Sequence, residues 1–153
     1  MEIIPMTHYY IPLTNIMAKK KVTVSMKADH EYESVNAVGN RVSIDMYDDE
    51  EKQSQSPMEL LLSALGSCAA VDAVQMMKKK RRTIQAFFIE VEGERNDGIP
   101  AFYTDIHLTF TLISPDATPE EFEKVTRLAV EKYCSVSSSL KSNVSFSSVV
   151  NKP

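Results

Sequence analysis

The chain of 153 residues has no tryptophan, four glycines, two cysteines and three histidines. So few glycines leave no phosphate-cradling loop, and neither a G-x-G-x-x-G nor a Walker-type run occurs. Two cysteines with scattered histidines (His8, His30, His107) make no structural zinc site, and they are too few for a disulfide scaffold. An excess of positive charge is also missing. Lys and Arg number 17 against 21 Asp and Glu, for a net charge of −4. A protein built to grip the phosphate backbone is usually basic, so nucleic acid is not an expected partner. What is present is ordinary for a globular domain: 43% hydrophobic and 25% charged residues. The length fits one domain of about 100–200 residues. The expectation is a compact domain without metal or bound cofactor, holding two thiols.

Residues 1–16 are apolar and interrupted by proline, with no basic n-region and no small-residue cleavage site. They do not read as a signal peptide. Met17-Ala18-Lys19 reads as a second start, so 1–16 are expected to be a leader or artificial extension and 17–153 the single domain. A native arm that docks on the domain or on a partner subunit is the competing reading. With no targeting segment and two potentially free thiols, the expected location is the cytoplasm.

From Val22 the pattern alternates. Val22, Val24 and Met26 share one side, opposite Thr23, Ser25 and Lys27, which predicts a half-buried strand. Strands are also expected near residues 32–37 and 41–46, joined through the Gly39-Asn40 turn. Residues 48–55 read as a solvated polar loop.

A long helix is predicted from Ser56 to about Lys79. Ser56 is its N-cap, Pro57 its first residue, and Glu59 completes a capping box. Between Leu60 and Met77 the only charge is Asp72. About 20 apolar residues would suffice to span a bilayer. Ser63, Ser67, Asp72 and Gln75 interrupt this run, however, and small residues dominate it. A fully buried central helix of a soluble fold accounts for it better, and no membrane partner is expected. Lys78–Arg82 complement the helix C-terminal dipole as a solvated end.

Two strands follow, at 85–94 and 102–113. In the second, Ile106, Leu108, Phe110 and Leu112 face one way, while Asp105, His107, Thr109 and Thr111 face the other, making His107 a surface histidine. Thr118 and Pro119 start an amphipathic helix running to Cys134, and a short helix (135–141) and a strand (144–150) close the chain. This order of elements predicts an α+β fold with an antiparallel sheet rather than alternating βαβ units.

Cys68 lies in the most apolar helix, and Cys134 at the junction of two helices. A free cysteine is often just a small core hydrophobe, and that reading stays open. Cys134 precedes a short helix whose N–H groups favour a thiolate. Cys68, in mid-helix, depends on an outside cation or hydrogen-bond donor.

The run Ser56-Pro57-Met58-Glu59-Leu60-Leu61-Leu62-Ser63-Ala64-Leu65-Gly66-Ser67-Cys68 resembles the first-cysteine helix of the OsmC/Ohr family, the osmotically induced and organic-hydroperoxide-resistance proteins. Cys134-Ser135-Val136-Ser137-Ser138-Ser139-Leu140 is similar to that family's second-cysteine motif. The likeness runs from about Met17 to Val150 and is strongest to the OsmC-like branch. It implies a curved antiparallel sheet with a long buried central helix, in an intertwined homodimer whose active sites lie at the subunit interface. It implies that Cys68 attacks a small organic hydroperoxide, that Cys134 resolves the sulfenic acid as a disulfide, and that an external lipoyl-type dithiol reduces it.

Two departures stand out. Peroxidase members carry a glutamate ten residues before the first cysteine, where this chain has Met58. Their activating arginine lies roughly twenty residues before it, near Asp48 here. Glu59 and Arg41 are the candidate substitutes, although Glu59 already serves the cap and faces away from Cys68, and Arg41 fits an exposed strand start. Asp72, one turn after Cys68, is a further supporting candidate. If ionised it opposes the thiolate, and alternatively it holds a partner donor across the interface. These departures leave two alternatives beside the peroxidase: a thiol-bearing binding or sensing protein without efficient turnover, and a structural dimer with buried cysteines.

Overall fold

The computed structural model describes residues 19–153, so the expectations for residues 1–16 and the Met17 start lie outside the described residues. Two compact units divide the chain at Ile44–Asp45.

The first unit carries strands β1 (Val22–Ala28), β2 (Glu31–Asn36) and β3 (Arg41–Asp45, whose last residue belongs to the second unit), in the order β1-β2-β3. β1 and β2 are antiparallel, with Val22 opposite Asn36 and Met26 opposite Tyr32. The Asn36 side chain accepts from the N–H groups of Val38 (3.1 Å) and Asn40 (2.9 Å), which closes the turn into β3. Arg41 donates to Glu33 at 2.7 Å, and Lys27 pairs with the same carboxylate at 3.5 Å. The alternation predicted for β1 is present, but among the described residues its apolar side is open. Val22, Val24 and Met26 are 61%, 57% and 63% exposed.

The second unit holds the core. Its order is α1 (Pro57–Lys79), β4 (Ala86–Arg95), β5 (Tyr103–Ile113), α2 (Pro119–Leu128), a π turn at Ala129–Tyr133, α3 (Ser135–Ser139) and β6 (Asn143–Asn151). The Asp45 carboxylate accepts from Gln53 N–H at 2.9 Å and Ser54 N–H at 2.6 Å, which anchors the polar loop ahead of α1. β4 and β5 are antiparallel, with Ile89 opposite Phe110 and Val91 opposite Leu108. β6 joins β5 in parallel, with Leu108 beside Phe146. The expected antiparallel sheet is therefore mixed. A parallel neighbour needs a crossover of a dozen or more residues, and the helical segments between β5 and β6 supply it. The α+β class stands, with one βαβ crossover inside it.

One sheet face is apolar and covered. Ile106, Leu108, Phe110 and Leu112 of β5 are fully buried, with Phe122, Val125 and Ala129 of the following helical segment. The rings of Phe87, Phe110, Phe122 and Phe146 meet edge to face at 6.2–6.4 Å, linking β4, β5, α2 and β6. Leu128 points outward. The other sheet face is polar. There His107 is half-buried rather than free, with its ring nitrogens 2.8 Å from Ser145 Oγ and 3.0 Å from Ser147 Oγ.

α1 starts as its sequence dictates. Ser56 Oγ accepts from Glu59 N–H while the Glu59 carboxylate accepts from Ser56 N–H at 2.7 Å. Burial on all sides is not what the chain shows. Leu65, Gly66, Ala69, Ala73 and Met77 are buried, while Ser63, Ala64, Ser67, Val71 and Gln75 are exposed. By length and composition alone α1 is also long and apolar enough to cross a membrane.

Candidate thiol site

The mid-helix position of Cys68 follows from the cap at Ser56, which fixes the phase of α1. Leu65, Ala69 and Ala73 then face the sheet, and Cys68 sits at the margin of that stripe, half-buried. A second constraint holds the first turn. Tyr103 Oη donates to the Met58 carbonyl at 3.1 Å, and the Tyr103 ring lies over Gly93. A Cβ at Gly93 would stand 2.6 Å from that ring, so glycine is what lets Tyr103 reach α1. Burial pushes the Tyr103 phenol up, which keeps it a donor.

Cys134 arrives by a different route. After α2 the backbone widens into the π turn, and Cys134 N–H donates to the Ala129 carbonyl at 2.9 Å. Single π turns often mark functional sites. Cys134 then caps α3, its sulfur accepting from Ser137 N–H at 3.3 Å. Its S–H points to the Leu65 carbonyl, one turn before Cys68, at the long distance of 4.0 Å. Cys134 is only 1% exposed, and the Cys68 thiol lies near enough to act on it. Thus a buried thiol lies beside a partly open one.

Electrostatics favour neutral Cys134. Burial pushes its thiol up, and proximity to Cys68 acts the same way. The Ser137 N–H opposes this but does not win. The sequence expectation that the short helix favours a thiolate is corrected here: the donor is present, and desolvation outweighs it. Among the described residues, no Lys, Arg or His hydrogen-bonds to either sulfur.

The supporting candidates are placed as follows. Glu59 belongs to the cap. Bonds from the Ser56 hydroxyl and N–H, with Lys52 at 3.3 Å, hold its carboxyl at about 2. Arg41 belongs to the first unit and is committed to Glu33. Asp72 is half-buried one turn past Cys68, and among the described residues none hydrogen-bonds or ion-pairs with it. Of the five candidates, the structure brings together Cys68 and Cys134. Sequence reasoning missed Leu65, Ser137 and Tyr103. Only Ser137 carried a signal, as the third residue after a capping position.

A groove of about 490 Å³ runs between α1 and β4, lined among others by Glu59, Leu62, Ser67, Ala70, Phe87 and Phe88. Cys68 is not part of its lining. Among the described residues no cluster of three or more metal-ligating side chains occurs.

A family model described as OsmC-like protein matches residues 48–149, which include both cysteines. Protein YhfA of Escherichia coli strain K12 is 33% identical over 92 residues, covering 60% of this chain and 69% of that protein. A hypothetical protein from Aquifex aeolicus VF5 superposes with a TM-score of 0.79 at 27% identity, over 90% of this chain and 99% of that one. The organic hydroperoxide resistance protein OhrB of Bacillus subtilis superposes with a TM-score of 0.58 at 15% identity, over 88% and 98%, and so shares the fold.

Proposed function

Because the chain belongs to the OsmC-like protein family, we propose that it is a thiol-dependent reductase of organic hydroperoxides. The observation that carries this reading is the pairing of half-open Cys68 with buried Cys134. The family's resemblance to organic-hydroperoxide-resistance proteins, and the fold shared with OhrB, support it.

In this reading the Cys68 thiolate attacks one peroxide oxygen, and the O–O bond breaks. Cys68 becomes a sulfenic acid, and the alkoxide leaves as an alcohol after taking the proton the thiol lost. The Cys134 sulfur then attacks the Cys68 sulfur, and the sulfenic hydroxyl departs with the Cys134 proton as water. An external lipoyl-type dithiol reduces the disulfide and is itself oxidised to a disulfide. The balance is one hydroperoxide and one dithiol to one alcohol, one water and one oxidised dithiol. No bound cofactor or metal takes part. Leu65, fully buried one helical turn before Cys68, gives it an apolar neighbour that favours an organic over an inorganic peroxide, since apolar contact gains about 25 cal/mol per Å².

A homodimer belongs to the same proposal. The open apolar side of β1 is the surface that a second copy would cover. The active sites would lie at the subunit interface, and the protein would work in the cytoplasm.

The test is intact mass after one equivalent of cumene hydroperoxide. Loss of two hydrogens by the wild type, with none by Cys68→Ser, is the expected result; no reaction over minutes overturns the proposal. The second reading is a thiol sensor that oxidises once and does not turn over. The lack of a cation hydrogen-bonded to either sulfur among the described residues favours it. Sustained hydroperoxide consumption with a lipoyl dithiol would exclude it.

A further inference from the structure

The paired thiols have a chemistry that needs no oxidant. We propose that reduced Cys68 and Cys134 form a chelating site for trivalent monoorganoarsenicals, a class of soft electrophile that takes two thiols at once. Three observations carry this.

The first is placement. The Cys134 sulfur lies against the Leu65 carbonyl at 4.0 Å, one helical turn before Cys68, and the two thiols are neighbours in one apolar cluster. Cys68 is half-buried and admits the reagent, while Cys134 is fixed by the Ser137 N–H at 3.3 Å and presents its sulfur in a set direction.

The second is ligand number. No group of three or more His, Cys, Asp or Glu side chains able to hold a metal exists among the described residues. Tetrahedral zinc, which takes four ligands or three with water, lacks its donors here. An arsenical that keeps one carbon substituent needs two sulfurs, the number on offer.

The third is charge. Cys134 is buried, the Asp72 carboxylate stands one turn past Cys68, and no Lys, Arg or His hydrogen-bonds to either sulfur among the described residues. A bis-thiolate copper(I) complex would place a net negative charge in that setting, at a desolvation cost. The arsenical adduct is neutral. In its hydrated form the arsenical carries two hydroxyls on arsenic; two As–S bonds form while two As–O and two S–H bonds break. The thiol protons leave with the two arsenic hydroxyls as two waters. Arsenic stays trivalent and neither sulfur is oxidised.

The inference uses the same two thiols as the peroxidase reading but not its peroxide step. The probe is phenylarsine oxide, one equivalent on the full reduced chain, read by intact mass in the presence of excess glutathione. The expected result is one phenylarsenic per chain, with two hydrogens lost from the protein, released by a small dithiol but not by the monothiol. Tethering the second sulfur beside the first raises affinity by about a hundredfold or more. Cys68→Ala, a helix-favouring change checked by circular dichroism, should therefore lose the adduct under the same wash, as should Cys134→Ser. The proposal is overturned if reduced wild type gives no adduct, or if folded Cys68→Ala retains it undiminished. Measuring hydroperoxide consumption in a separate, arsenical-free aliquot of the same reduced protein separates the two readings. An adduct without consumption refutes the peroxidase alone, and consumption without an adduct refutes the arsenical site alone.

Discussion

The two sheets of this protein start from the same alternating code and end differently. In β5, Ile106, Leu108 and Phe110 disappear completely beneath α1 and α2. In β1, Val22, Val24 and Met26 follow the same every-other-residue rule and remain more than half exposed. Alternation therefore sets which side of a strand is apolar, but not whether anything covers it. The covered sheet belongs to the unit that holds both cysteines, and that unit has a closed core of its own. Among the described residues the apolar side of β1 stays exposed, which is why a second copy belongs to the proposed function.

The largest effect should separate the two sheets directly. Phe122→Ala empties the centre of the aromatic cluster and should cost about 3–5 kcal/mol in urea unfolding. Val24→Ser on the open face should stay within about 0.5 kcal/mol in dilute solution and weaken self-association instead, read by sedimentation. A dilute-chain loss of more than about 1 kcal/mol for Val24→Ser would mean the face is already covered.

A smaller effect tests the junction between sheet and cysteine helix. Gly93→Ala would push a methyl into the Tyr103 ring at 2.6 Å, and the ring is pinned by its bond to Met58. A cost of about 1–3 kcal/mol in thermal unfolding is expected. Tyr103→Phe in the same background should recover part of it, because the freed ring can then shift.

Acid should act on the second unit through Glu59. Its carboxyl sits at about 2 in the folded protein against an ordinary 4.5, held down first by the Ser56 hydroxyl, then by the Ser56 N–H. A depressed carboxylate contributes stability that is fully present above about pH 4.5 and lost as pH falls toward 2. The side chain is 46% exposed, so solvent screening limits the contribution to about 1 kcal/mol. Glu59→Gln should lower stability at neutral pH and remove this part of the acid slope. An unchanged slope would assign it to other carboxylates.

The smallest expected effect is a gain. α1 ends with Arg82 N–H donating to Met77 O at 3.1 Å and Arg81 N–H to Lys78 O at 2.9 Å, a Schellman close. This places Arg81 at φ 59°, a conformation that favours glycine. Arg81→Gly should raise stability by about 0.5–1 kcal/mol in urea unfolding.

Much of the fold was legible because its signals are local. Ser56, Pro57 and Glu59 fixed the start of α1 to the residue, and Thr118 with Pro119 did the same for α2. The parallel pairing of β6 was not legible. Its alternation is the same in either direction, and only the crossover between β5 and β6 sets the strand's sense. The π turn was also hidden, since one shifted hydrogen bond from Cys134 to Ala129 leaves no mark in residue type.

By itself the sequence determined that one cysteine lies within a long helix and the other at a helical junction, and that neither metal-ligand spacing nor a nucleotide loop accompanies them. The polarity of neighbouring residues and the capping chemistry suffice for that. Tertiary structure alone decided that the two sulfurs are neighbours and that Cys134 stays a neutral thiol despite its capping N–H. Arg41 is engaged instead with Glu33 and Glu59 with its helix cap. The reason is physical. Desolvation and the meeting of distant segments depend on how α1, the π turn and the sheet pack together, and no single segment carries that information.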